Sequence, residues 1–204
     1  MKTVVLASGN AGKIRELRTL FEGLGIEVVP QDHYGVSEAE EPHPTFVENA
    51  LAKARHAARH TGLPALADDS GICVHALHGA PGVHSARFGG EPRSDARNND
   101  RLLETMAHLD DRRAHYYCVL VLLRHEHDSQ PLIAEGAWHG EILRAPRGDG
   151  GFGYDPLFLD PGLGLTGAEL PLEEKRRVSH RGQALRALVE RVRALQDESD
   201  PPGA

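Results

Sequence analysis

At 204 residues the chain can bury one substantial core, or two lobes sharing one chain, and is too short for several independent domains. Apolar residues make up 40% and are interleaved with charge throughout, the balance of a globular protein that folds, which excludes a disordered or membrane-embedded chain. A net charge of −7 argues against general affinity for nucleic-acid backbone, which comes from clustered cations displacing counterions, so any anionic ligand must be held by local positive groups.

Thr3 to Ala7 reads as a short buried strand, and Ile14, Leu17, Leu20, Phe21 and Leu24 then recur at helical spacing until Gly23 and Gly25 break the pattern. Ile26 to Val29 reads as the next strand, and strand-helix-strand order predicts adjacent parallel strands in an α/β protein. The N-terminus has too few apolar residues for a secretory signal, and the longest apolar stretch, Tyr116 to Leu123, is far below the roughly 20 residues that span a bilayer. A cytoplasmic address with no membrane association is expected. Between first strand and first helix lies Ser8-Gly9-Asn10-Ala11-Gly12-Lys13, where exposed N–H groups, the helix dipole and Lys13 favour a phosphate. It is not a Walker loop: the glycines are too close together, and Ile14 stands where Ser or Thr would bind magnesium. A plain turn with a helix cap explains this segment about equally well.

Pro44 to His60 predicts a second helix, with Phe46, Val47, Ala50, Leu51, Ala54, Ala57 and Ala58 on one face and Lys53 at its edge. Just before it, Glu38, Glu40 and Glu41 offer hard oxygen ligands of the kind magnesium takes, and spacing does not choose between Glu40 and Glu41. Ala65 to Val74 reads as a strand interrupted by Asp68-Asp69-Ser70-Gly71. Adjacent carboxylates in an apolar run repel unless a cation joins them, although an Asp- and Ser-rich turn is the simpler reading of that segment alone. Cys73 and Cys118 are far apart in apolar runs and predict buried free thiols.

Ser94 to His108 predicts a helix with Leu102, Leu103 and Met106 inward; His115 to Arg124 and Pro131 to Arg144 predict an antiparallel pair, making the sheet mixed. His56, His60, His125 and His127 read as surface histidines, and no G-x-S-x-G elbow or cysteine nucleophile offers covalent acyl chemistry. Gly150-Gly151-Phe152-Gly153-Tyr154-Asp155-Pro156 sets two aromatics among glycines, which suits stacking on a flat ligand and equally suits a structural turn. A strand is expected around Pro156 to Leu159. The last helix runs from about Ser179 to Leu195, opened by Ser179-His180-Arg181, with Lys175 a few residues upstream. An arginine there can donate two hydrogen bonds to a purine edge, while a capped surface helix is the plainer reading. Residues 1–197 are expected to form one domain, and 198–204 a frayed tail.

Six segments occur in one order: Ser8-Gly9-Asn10-x-x-Lys13, Phe46-x-Glu48-Asn49-Ala50-x-x-Lys53, Ala67-Asp68-Asp69-Ser70-Gly71, Pro81-Gly82-x-x-Ser85-Ala86-Arg87, Gly151-Phe152-Gly153-Tyr154-Asp155-Pro156 and Ser179-His180-Arg181. From Thr3 to about Leu195 the set resembles the inosine triphosphate pyrophosphatase family, which hydrolyses noncanonical purine nucleotides such as ITP, dITP and XTP to the monophosphate and pyrophosphate. The resemblance implies a two-lobed α/β fold with a long central mixed sheet flanked by helices, a cleft between the lobes, a homodimer and Mg2+. It further implies that Ser8, Gly9, Asn10, Ala11, Gly12 and Lys13, with Lys53 and Lys175, hold the triphosphate. Glu41 and Asp69 would serve the metal, with Asp69 the catalytic base. Ser70, Phe152, Gly153, Tyr154, Asp155, His180 and Arg181 would hold the nucleoside. A pyrophosphatase for modified pyrimidine nucleotides, a nucleotide kinase and a non-catalytic nucleotide sensor are the other readings.

Overall fold

The computed structural model of the chain describes residues 1–8, 14, 17–18 and 21–199. Strands β1 (Thr3–Leu6) and β2 (Glu27–Pro30) pair in parallel, with Thr3 opposite Glu27 and Leu6 opposite Pro30. Leu17 and Phe21, helical residues of the crossover between them, are buried, as a helix covering a parallel pair must be.

Helix α1 (Phe46–Thr61) begins at a capping box: Thr45 Oγ1 accepts the Glu48 N–H at 3.3 Å and donates to the Glu48 carboxylate at 2.6 Å. It ends at Gly62, whose φ of 68° is the left-handed conformation that closes a helix and that glycine adopts without a Cβ penalty. Ala50, Ala54, Ala57 and Ala58 form its buried stripe, small enough to bring the helix backbone near β1. Strand β3 (Ala65–Val74) pairs with β1 in parallel, Val5 opposite Ala65. The expected break at residues 68–71 does not occur, and the strand is continuous for 10 residues. Asn49 and Lys53 supply Asp69 with side-chain partners, which offset part of the penalty of holding an acidic pair in a buried strand.

Helix α2 (Asp95–Thr105) is capped by Ser94, and strands β4 (Arg113–Leu123) and β5 (Leu132–Ile142) follow as neighbours. β6 (Phe158–Asp160) and the two-residue β7 (Leu165–Thr166) extend the sheet by antiparallel pairing, Ile142 opposite Phe158 and Leu159 opposite Thr166. The sheet order is β2-β1-β3-β4-β5-β6-β7, with parallel pairs at one end and antiparallel pairs at the other, so it is mixed as expected. The strand expected around Pro156 begins only at Phe158, because Tyr154 to Leu157 close a turn in which Leu157 N–H bonds the Tyr154 carbonyl at 2.9 Å.

The last helical stretch is two helices: α3 (Leu172–Val178) and α4 (His180–Ser199). Ser179, extended at φ −67° and ψ 155°, separates them, and its Oγ accepts the Gly182 N–H at 3.2 Å to cap α4. A Cβ at Gly182 would run into the Arg176 carbonyl, so the turn between the helices requires glycine. The backbone stays helical to Ser199, past the expected end at Leu195; the rest of the expected frayed tail, 200–204, lies outside the described residues. Neither cysteine is in a disulfide; Cys118 is buried, whereas Cys73 is only half-buried.

The chain divides into two compact units. Unit 1 is Met1–Asp69, Val119–Glu135 and Ala184–Ala204, and unit 2 is Ser70–Cys118 and Gly136–Gln183. Unit 1 buries Val4, Val5, Leu6, Leu66, Leu120, Leu122, Leu185 and Leu188. Unit 2 has an aromatic core of Tyr116, Trp138, Tyr154 and Phe158 packed with Ile72, Leu102, Met106 and Leu157. No helix among the described residues is long and apolar enough to cross a membrane.

Candidate active site

In unit 1, Asn49 and Lys53 stand four residues apart on α1, which places both on one helix face, and that face meets Asp69 on β3. Asn49 Nδ2 donates to one carboxylate oxygen of Asp69 at 3.2 Å and Lys53 Nζ to the other at 3.5 Å. Lys53 also donates to Glu41 Oε1 at 2.8 Å, so one ammonium bridges the carboxylates of a loop and a strand. Asn49 fixes that loop as well: its Oδ1 accepts the His43 N–H at 3.0 Å and its Nδ2 donates to the His43 carbonyl at 3.1 Å.

Asp69 is 8% exposed, and burial pushes its carboxyl above the usual range, with Glu41 and Asp68 adding to the rise while Lys53 and the Asn49 hydrogen bond oppose it. Burial by itself would lower the Lys53 ammonium, but the Asp68 and Asp69 charges and the Glu41 hydrogen bond outweigh it and raise it. The group therefore carries a surplus of carboxylate over ammonium, all hard oxygen donors. Glu41 is half-buried and bonded to Lys53, whereas Glu38 and Glu40 are exposed, so tertiary structure separates the adjacent glutamates. Among the described residues no three His, Cys, Asp or Glu side chains enclose a metal position by themselves. The Glu41 and Asp69 carboxylates are hard oxygen donors of the kind that magnesium takes.

In unit 2, Asp155 organises the glycine loop. Its buried carboxylate accepts the Phe152 N–H at 2.7 Å and pairs with Lys175 of α3. Gly151, at φ 73°, would put any Cβ against that carboxylate, and a Cβ at Gly167 would approach it to 2.8 Å, so the anchor fits only because both positions are glycine. From α2, Asp95 accepts the Gly153 N–H at 2.6 Å and Asn99 donates to the Gly153 carbonyl at 2.9 Å. The loop is thus held on both sides while the Phe152 ring stays 59% exposed. Lys175 Nζ lies 5.1 Å and Arg181 Cζ 6.0 Å from its centroid. Arg181, at the start of α4, donates to Ser70 Oγ at 3.1 Å. An exposed ring with two cations beside it offers a stacking platform for a flat, electron-rich ligand.

The structure brings Glu41, Lys53 and Asp69 together in unit 1, and Phe152, Asp155, Lys175 and Arg181 together in unit 2; Ser70 follows Asp69 directly in the chain. Lys175, which the resemblance puts among the triphosphate-holding groups, has its ammonium on Asp155. Tyr154 is a core residue, 3% exposed, whose hydroxyl donates to the Ser85 carbonyl at 2.8 Å, and Asp155 is occupied as an anchor. Ser8 is half-buried after β1, and Gly9 to Lys13 lie outside the described residues. Sequence reasoning missed the roles of Asn49, Asp95 and Asn99. Asn49 had a signal in its four-residue spacing from Lys53; the others had none, because their partners are far away in the chain.

The Ham1 family model matches residues 4–191. A dITP/XTP pyrophosphatase of Ralstonia nicotianae is 62% identical over 97% of this chain and 100% of its own length. One of Nitrosomonas europaea is 64% identical over 93% and 94%. The solved structure of a HAM1 protein from Coxiella burnetii superimposes with a TM-score of 0.92 at 48% identity, covering 95% of this chain and 100% of that one. Motif order, mixed sheet and near full-length identity agree, and the chain belongs to the Ham1 family.

Proposed function

We propose that this chain hydrolyses noncanonical purine nucleoside triphosphates, dITP, ITP and XTP, to the monophosphate and pyrophosphate. The observation that carries this reading is its identity of 62% and 64%, over almost the whole chain, with proteins named dITP/XTP pyrophosphatase. The geometry agrees with it. Unit 1 holds an acidic group suited to metal and phosphate, and unit 2 an exposed aromatic platform suited to a base.

Glu41 and Asp69 would hold Mg2+, which when bound offsets triphosphate charge and eases departure of pyrophosphate. Lys53, already between the two carboxylates, holds them in place and adds positive charge for the phosphates. Asp69 accepts the proton of the attacking water, and burial raises its affinity for a proton. Ser8 to Lys13, which follow β1 in the chain, would hold the triphosphate, with Lys13 supplying a positive charge. In unit 2, Phe152 stacks on the base, Lys175 and Asp155 hold the platform, and Ser70, His180 and Arg181 read the nucleoside. Arg181 and His180 donate hydrogen bonds to the 6-oxo group of hypoxanthine or xanthine and oppose, donor against donor, the 6-amino group of adenine. The enzyme acts in the cytoplasm as a homodimer.

The test is hydrolysis of a nucleoside triphosphate panel with Mg2+, resolving pyrophosphate from orthophosphate. ITP, dITP and XTP should exceed ATP and GTP in kcat/KM by at least roughly a hundredfold, with pyrophosphate as product. Orthophosphate as the product, or equal use of ATP, GTP and ITP, overturns the reading.

A further inference from the structure

Histidine's second side-chain torsion is broad, so backbone and rotamer preference leave the plane of an imidazole loosely set, although its N–H groups donate only within that plane. His180, the first residue of α4, is 8% exposed and lies against Tyr116 of β4 with ring centroids 4.7 Å apart and planes only 8° from parallel. Tyr116 is itself fixed. Phe158 packs on it at 4.7 Å, Trp138 lies 6.1 Å away at 20°, and Trp138 is pinned by an Nε1–H hydrogen bond to Asp160 at 2.8 Å. The Tyr116 hydroxyl donates to Asp155 Oδ1 at 3.4 Å, on the carboxylate whose other oxygen holds the Phe152 N–H. One buried ring thus touches both the imidazole and the anchor of the stacking platform.

We infer that Tyr116 is a positioning residue for base selection, its ring setting the plane of the His180 imidazole. The inference rests on the reading that His180 faces the base. Tyr116 itself, buried in the core of unit 2, touches no substrate. A core aromatic placed only for packing could meet a neighbouring ring at any angle, edge-on included; a parallel stack on a flat polar group fixes the direction of its hydrogen bonds.

The experiment compares Tyr116→Leu, Tyr116→Phe and His180→Ala by kcat/KM for ITP and ATP, which differ at the 6-position that His180 reads. Tyr116→Leu should narrow the ITP preference by about tenfold, mainly through a higher KM for ITP, and Tyr116→Phe, which keeps the ring, should restore the parent ratio. If His180→Ala narrows the ratio but Tyr116→Leu leaves it intact, the positioning role falls while the base-reading role of His180 stands. If His180→Ala leaves the ratio intact, the reading of His180 fails and takes the inference with it. Should Tyr116→Leu not fold, proton NMR of the parent decides: the ring protons of a stacked His180 are shifted upfield by the Tyr116 ring current, and ordinary shifts overturn the stack.

Discussion

In the proposed mechanism Asp69 concentrates the chemistry of unit 1 in one carboxylate. Each of its oxygens has a partner on α1, yet burial still raises its affinity for a proton, so in the metal-free protein its charge is held against a cost. The sign follows. A carboxyl whose folded pKa lies above its unfolded value opposes folding once it ionises, and an isosteric amide removes that opposition. Asp69→Asn is therefore expected to keep or raise the Tm of the metal-free protein at neutral pH, since Lys53 retains Glu41 at 2.8 Å. The same change should lower turnover by at least about a hundredfold, because the proton acceptor and a metal charge go together. Turnover within a few-fold of the parent removes Asp69 from catalysis, and a large drop in Tm shows that it acts as a structural ion partner instead.

At the scale of elements, the β4–β5 connection is tied by a single residue. Asp128, 1% exposed, accepts the Arg124 N–H at 3.0 Å, the Arg124 Nε–H at 2.8 Å and the Gln130 N–H at 2.9 Å. The Arg124 side chain, aided by the backbone donors, holds its carboxyl well below the usual range. Asp128→Ala should cost about 2 kcal/mol, or roughly 4–8 °C in Tm for a chain of this size. A depressed carboxyl stabilises the fold above its unfolded pKa and loses that contribution as pH falls, so the gap between parent and variant should be full at neutral pH and shrink below about pH 4. Thermal melts from neutral to acid pH check both; a gap that is absent, or constant with pH, means the turn does not depend on the ionised carboxylate. Catalytic constants should not follow the change in Tm, because Asp128 belongs to none of the groups assigned to substrate.

At the scale of the whole molecule, the homodimer expectation predicts a light-scattering mass twice that of the 22.2 kDa chain at micromolar concentration, and a stable monomer there refutes it. Much of the architecture was legible because it is written locally. Hydrophobic periodicity marked α1, α2 and the strands, and strand-helix-strand order implied the parallel β1–β2 pair. The ordered motifs likewise brought Lys53, Asp69, Phe152 and Arg181 forward as candidates, and the family resemblance they carry added Glu41. What stayed hidden depends on partners distant in sequence. The acidic pair reads as a break until Asn49 and Lys53 are placed beside Asp69, Glu40 and Glu41 are equivalent until one of them meets Lys53, and Asp155 reads as a ligand group until Phe152 and Lys175 occupy it. Sequence by itself determined which residues could carry charge, cap a helix or stack, because those are properties of a side chain and its near neighbours. Only tertiary structure decided which of them do so together, because burial and hydrogen-bond partnership arise when elements far apart in the chain pack against one another.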